Sequence, residues 1–246
     1  MTKPEVIWQR FGESLDERAE YLWKLYRRYS RGNEQDRLTG PYLDIGAGKL
    51  VNAALFRQMA GLESAVGVDI RSDLTKSRDI EPVRADARAL PFRNRSFELV
   101  TMISTIEHVQ GASVCLSEAL RVLRADGELF MQFPNRYFPI ELHSSLCMYF
   151  YLPRYVRNRL ADAADRDWMK DIDVPTPRKI GRMLEQLAPD RKVVVAGFSY
   201  PESMLAESRS IRALGWILKR VGILRVMPMG YIVLVSRLPS SLEKRE

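Results

Sequence analysis

The segment Tyr42-Leu43-Asp44-Ile45-Gly46-Ala47-Gly48-Lys49-Leu50 constrains this chain more than any other. An apolar strand runs into two glycines two apart, and the helical pattern Val51–Met59 follows, stopping at Gly61. Glycine at both positions lets the backbone turn tightly and approach a ligand closely. A pyrophosphate cradle wants a third glycine at the position held by Val51. Asp44, at the strand end, would repel a diphosphate and attract an ammonium group. The loop therefore suits a cationic amino-acid ligand better than a dinucleotide.

The pattern that follows extends this unit into a sheet. Strands are expected at Ser64–Ile70, Pro82–Ala85 and Phe97–Ile103, with a loop over Asp86–Arg95. A helix over Ser113–Leu123 ends at the turn Ala125-Asp126-Gly127, and a fifth strand, Glu128–Phe133, is stopped by Pro134. Such alternation predicts an α/β fold with a mostly parallel sheet. Ahead of it, Leu15, Leu22, Tyr26 and Tyr29 recur at helical spacing. Ser14 is the expected N-cap, Glu17 completes a capping box, and the helix ends near Arg31-Gly32-Asn33.

Beyond Pro134 the chain reads as loop-rich and aromatic, with a short helix near Leu146–Tyr151. A helix over Thr176–Leu187 carries Pro177 in its first turn. Strands at Val193–Phe198 and Gly230–Val235 enclose an amphipathic helix, Arg209–Val221.

Three acids stand at three successive strand ends. Asp69 lies 25 residues after Asp44, where a carboxylate can accept from two ribose hydroxyls. Asp86, after the third strand, can accept from an adenine amino group, with Ile70 and Leu90 flanking the ring.

Together with Gly67-Val68-Asp69, Ala85-Asp86-Ala87, Leu90-Pro91-Phe92, Ser96-Phe97-Glu98-Leu99-Val100, Glu107-His108-Val109 and Glu118–Leu123 with Gly127, the glycine turn resembles the class I S-adenosylmethionine-dependent methyltransferases. The resemblance is to the broad group that includes the quinone-biosynthesis methyltransferases. It covers about residues 40–135, in the family's order; Leu50 departs from the third glycine that many members carry. It implies a Rossmann-like seven-stranded, mostly parallel sheet with the last strand antiparallel, helices on both faces, and a loop and helix insertion after strand five. The domain is single: a helical lid over 1–39, a cofactor core over 40–135, an acceptor-side insertion over 136–190, and closing strands with the amphipathic helix over 191–246.

The resemblance also distributes the cofactor, S-adenosyl-L-methionine. Asp44, Gly46, Ala47 and Gly48 would hold its methionine part, Asp69 the ribose, and Asp86 with Ala87 the adenine; Ser104 and Thr105 would pass close to the sulfur. Ser104 stands where quinone-type relatives carry a Glu that completes a metal site, so no metal is expected. A base is useful where the acceptor is a hydroxyl or an ammonium. The candidates are Glu107, His108 and His143, with His143 favoured because it sits in the proline-stiffened loop after strand five. The competing reading of each is structural hydrogen bonding.

Composition narrows the setting. Two cysteines, Cys115 and Cys147, and two histidines argue against a disulfide framework or a Cys-rich zinc site and point to a cytoplasmic protein. No apolar leader or membrane span is expected. Residues 1–150 hold 20 basic and 20 acidic residues, whereas 151–246 hold 18 and 11, so the whole excess of +7 is C-terminal. Basic and aromatic residues mix at Met148–Arg159 and Ile211–Arg225. Ile211, Leu214, Ile217, Leu218 and Val221 form one face, with Trp216 at its boundary. That pattern fits peripheral contact with the inner membrane surface and a small-molecule or lipid-linked acceptor, as in quinone or lipid biosynthesis. Methylation on oxygen is expected, and the run from Pro134-Asn135-Arg136 to His143 is similar to family members associated with glycan or envelope biosynthesis. An ordinary core-facing helix with a solvated basic side is the competing reading. Nucleic acid is not favoured as a partner. An RNA or protein methyltransferase and a non-catalytic cofactor-binding module are the alternatives.

Overall fold

The computed structural model describes residues 12–30, 38–72, 79–139, 149–163, 170, 172–200, 220, 222 and 227–238. Helix α1 (Gly12–Tyr29) is followed by β1 (Tyr42–Ile45), α2 (Val51–Ala60), β2 (Ala65–Asp69), β3 (Ile80–Arg84) and β4 (Phe97–Ile103). Then come α3 (Ala112–Val122), β5 (Leu123–Pro134), α4 (Arg154–Ala163), α5 (Pro177–Leu187), β6 (Arg191–Phe198) and β7 (Gly230–Arg237). The strands form one sheet in the order β3-β2-β1-β4-β5-β7-β6. β7 runs antiparallel to both β5 and β6, and the other pairs are parallel. This is the sheet that the resemblance implies.

Period-two alternation splits the core between the two faces. Leu43, Ile45, Val100, Met102, Leu129 and Met131 pack with Leu116 and Ala119 of α3 and with Ile180 and Leu184 of α5. Tyr42, Leu99, Ile103, Phe130, Ile232 and Leu234 pack with Leu22 and Tyr26 of α1 and with Ala53 and Phe56 of α2. Helices thus cover both faces. α1 is part of the core: Ala19, Leu22 and Tyr26 are buried, and Tyr26 meets Phe130 edge-on.

Several boundaries differ from the sequence reading. α1 begins at Gly12, which puts Ser14 inside the helix rather than at its N-cap. β3 starts two residues earlier than expected, at Ile80. The turn at Ala125-Asp126-Gly127 is absorbed into β5. The pairing of β5 with β4 slips between Phe97 and Leu99, so the extra residues form an irregularity within the strand. α4 is a helix where loop was expected, and the helix near Leu146–Tyr151 is a single 3-10 turn at Tyr149–Tyr151. The start of α5 is as expected, with Thr176 as N-cap accepting from the Lys179 amide and Pro177 in the first turn. The Arg31-Gly32-Asn33 helix end, His143, Cys147 and all of the expected Arg209–Val221 helix except Arg220 lie outside the described residues. No described helix is long and apolar enough to cross a membrane.

Candidate active site

Chain order reverses direction across the sheet between β1 and β4, because β2 and β3 lie on one side of β1 and β4 and β5 on the other. In open α/β sheets such a switch point leaves a crevice at the strand C-termini where ligands bind. The candidate residues collect there.

Asp44 is the last residue but one of β1 and is almost wholly buried. Thr101 on the neighbouring β4 donates to its Oδ1 at 2.6 Å. The Thr101 hydroxyl is in turn 2.9 Å from that of Tyr42. With the Thr101 proton committed to the carboxylate, Tyr42 is the donor in the second bond. Asp44 Oδ2 has no partner. Burial pushes the Asp44 carboxyl up to about 7, and the charge on Asp69 adds to the rise, against the Thr101 bond. A buried carboxylate with one bare oxygen is a receptor for a cationic donor.

The glycine turn is shaped around this acid. Gly46 has φ +74°, and a Cβ there would lie 2.3 Å from two side-chain atoms of Thr105. Both Gly46 and Ala47 donate to the Val68 carbonyl, at 2.8 and 2.9 Å, which fastens the turn to β2. Thr105 Oγ1 donates across to the Ile45 carbonyl at 3.0 Å. The ends of β1 and β4 are therefore latched around a residue that must have no side chain. Leu50, the residue before α2, has φ +64°. It occupies the left-handed region where the missing third glycine would sit without strain. Its side chain is buried, with Cδ2 2.4 Å from where a Cβ on Gly67 would stand.

Asp69, at the end of β2, accepts from the Gly48 amide at 2.8 Å and from the Arg71 amide at 3.0 Å. Each oxygen keeps capacity for a further donor, since a carboxylate offers about four acceptor positions. Ile70 beside it is 65% exposed, an open apolar surface at the strand end. Leu90 is instead buried in the core beneath α3. Asp86 is held differently from the other two acids. Arg88 grips its carboxylate with Nε at 3.0 Å and Nη2 at 2.6 Å, and the Arg88 amide donates at 2.9 Å. The hydrogen bonds from Arg88 hold the Asp86 carboxyl below the usual carboxylate range. Ala87 is half-buried beside it.

After β4, Ser104 has φ +49° and shares a hydrogen bond of 2.9 Å with Gln132 Oε1 on β5. Arg18 of α1 reaches the same pair. Glu107 is buried in the 3-10 turn Ile106–His108, and its carbonyl accepts from the Asp173 amide at 2.9 Å. His108 beside it is exposed. No cluster of metal-binding side chains occurs among the described residues. The structure thus brings Asp44, Gly46–Gly48, Asp69 and Thr105 together and places Asp86 one strand further out. Sequence reasoning missed Arg18, Arg88, Thr101 and Gln132. Only Arg88, two residues from Asp86, carried a local signal.

Residues 43–131 match the methyltransferase domain family. The ubiquinone/menaquinone biosynthesis C-methyltransferase UbiE of Xylella fastidiosa (strain M12) is 29% identical over 119 residues, 44% of this chain and 47% of that protein. The matched part thus spans about half the length of the curated relative. A phosphoethanolamine N-methyltransferase from Haemonchus contortus, in complex with S-adenosyl-L-methionine, aligns at a TM-score of 0.58 and 15% identity, over 90% of this chain and 53% of its own. A SAM-dependent methyltransferase from Archaeoglobus fulgidus aligns at 0.53 and 19%, over 89% and 94%. These two likenesses are of fold.

Proposed function

We propose that this chain, whose residues 43–131 match the methyltransferase domain family, is a class I S-adenosylmethionine-dependent methyltransferase that transfers a methyl group from this cofactor to a small or lipid-linked acceptor. The observation that carries the reading is the bare Oδ2 of Asp44, buried below the glycine turn. A cationic amino-acid end supplies what that oxygen lacks, whereas a pyrophosphate would add charge of the same sign. The Haemonchus contortus protein, which has the same fold, holds S-adenosyl-L-methionine.

In this reading Asp44 receives the ammonium, with the Gly46–Gly48 backbone wrapped round the methionine part. Asp69 accepts from the ribose hydroxyls with its remaining lone pairs. Ile70 gives the adenine an apolar surface, and Asp86 with Ala87 borders its edge. When bound, the cofactor supplies a methyl group already activated on a sulfonium. The protein's task is then alignment and exclusion of water. Ser104 and Thr105 border the transfer position.

We favour oxygen as the atom methylated. A hydroxyl acceptor must lose a proton, and a histidine at the ligand edge, His143 or else His108, would take it, with Glu107 beside the latter. The curated relative is named a ubiquinone/menaquinone biosynthesis C-methyltransferase, and a lipid-linked acceptor fits the basic, aromatic 148–159 segment, where Tyr155 is 68% exposed. Contact with an anionic membrane surface would bring such an acceptor to the site.

Calorimetric titration with S-adenosylmethionine, S-adenosylhomocysteine and NAD in parallel tests the cofactor. Micromolar binding of the two sulfur compounds and none of NAD is the expected result, and it opens a radiolabelled methyl-transfer screen over lipid, glycan and RNA fractions. Absence of binding by both sulfur compounds would overturn the reading.

A further inference from the structure

Arg18, in the second turn of α1, carries its guanidinium to the C-terminal ends of three strands. Nη2 donates to Ser104 Oγ at 2.6 Å and to Gln132 Oε1 at 3.0 Å. Nε donates to the Tyr200 hydroxyl at 3.1 Å, and the group lies 6.0 Å from the Tyr200 ring centroid. All three partners are neutral. Among the described residues no carboxylate stands within ion-pair distance of Arg18. A half-buried guanidinium with no counterion among the described residues has forgone water without gaining a charge partner there. Its Nη1, which makes no hydrogen bond among the described residues, is a donor in hand for an anion.

Asp44 shows the opposite shortage on the same face of the sheet. Thr101, its partner, alternates along β4 with Leu99 and Ile103, which pack under α1 and α2; Gln132 alternates along β5 with Phe130 of that same cluster. Thr101 and Ser104 are three residues apart, about 10 Å at roughly 3.3 Å per strand residue. An α-amino acid group with one hydrogen bond of about 3 Å at each end covers a comparable span.

We infer that Arg18 receives the α-carboxylate of the ligand whose ammonium Asp44 receives, so that α1 completes the cofactor site. This rests on the reading of that site as one for S-adenosylmethionine. Sequence separation hides the pairing, because Ser104 and Gln132 lie 86 and 114 residues from Arg18.

A carboxylate can reach this place from the cofactor or from an acidic acceptor, and the choice of ligands separates the two. S-adenosylhomocysteine and methylthioadenosine share the adenosine and the thioether, but the second lacks the amino acid. Calorimetry on the full chain should show Arg18→Gln binding S-adenosylhomocysteine about 10- to 100-fold more weakly, as loss of a charged hydrogen bond gives. Methylthioadenosine should bind within about twofold of wild type, which also reports an intact adenosine site. Arg18→Lys, which keeps the charge but not the fork, should fall between. Equal loss for both ligands would make Arg18 a structural support of α1 and overturn the inference. Unchanged binding of S-adenosylhomocysteine would assign the guanidinium to the acceptor and overturn it as well. Wild-type protein that binds neither ligand would instead defeat the cofactor reading itself.

Discussion

The carboxylates near the end of β1 and just beyond β3 are the same chemical group held in opposite ways. Asp44 is buried, has one bare oxygen, and is pushed up to about 7. Asp86 is near the surface, is gripped by Arg88, and is held below its ordinary value. One strand of the sheet, β2, separates them. A carboxylate short of donors gains most from a cationic ligand; a carboxylate already supplied has little left to offer. The strand-end acids therefore differ in what they can contribute, although the sequence presents them alike.

The largest effect should follow from Asp44→Ala. It leaves the incoming ammonium without its buried partner, a loss of about 3–5 kcal/mol. Affinity for S-adenosylhomocysteine should fall at least 100-fold by calorimetry, and a smaller drop would mean that Asp44 only braces Thr101. Asp69→Ala comes next, at about 2–4 kcal/mol, because it removes charged acceptors from the ribose hydroxyls and from the Gly48 and Arg71 amides. Unchanged affinity in a folded variant would sink that assignment.

Acidity gives a third, smaller effect. The free protein holds Asp44 at about 7 against an ordinary 3.8. The folded state binds this proton more tightly than the unfolded chain does. Its contribution to stability is thus complete below about pH 4 and is lost as pH rises to about 7. An ammonium partner reverses the preference, so binding below pH 7 must expel the proton. Affinity should be about tenfold weaker at pH 6 than at pH 8, with the dependence absent in Asp44→Asn. In ligand-free melts Asp44→Asn should gain on wild type as pH rises, and a constant difference between the two would refute the buried charge. The smallest effect should belong to the outer acid. Asp86→Ala and Arg88→Ala should each change cofactor affinity by less than about fivefold, since exposed ion pairs contribute little. A larger loss in Asp86→Ala would show that the ligand displaces Arg88, and the contrast between the two acids would collapse.

What the sequence made legible was local. Phe97–Ile103 is a strand to the residue because its run of β-formers is closed by Ser96 and Ser104, and Thr176 with Pro177 starts α5 as capping chemistry requires. The three strand-end acids stood out because strand, turn and acid recur in order. The rest depended on distant partners. α4 carries only Val156, Leu160 and Ala161 as a weak apolar stripe among charged residues, so its pattern resembled loop. Gly127 sits where a Cβ would come 2.6 Å from the Glu98 carbonyl; it marks close passage of β5 beside β4 rather than a turn between elements. Thr101 and Gln132 looked like ordinary strand residues until β1 and α1 were laid against them.

Leu50 carries a lesson about which replacements this protein can accept. Its left-handed backbone costs roughly 1–2 kcal/mol, while burying a leucine side chain returns about 1.5–3 kcal/mol. The return exists only because Gly67 leaves the room. The two positions share one volume, so a methyl group added at 67 must be subtracted at 50. Restoring glycine at 50 alone would relax the backbone and open a hole. Among descendants of this sequence the two sites should drift as a pair, leucine with glycine or glycine with alanine, and a change at one should wait on a change at the other.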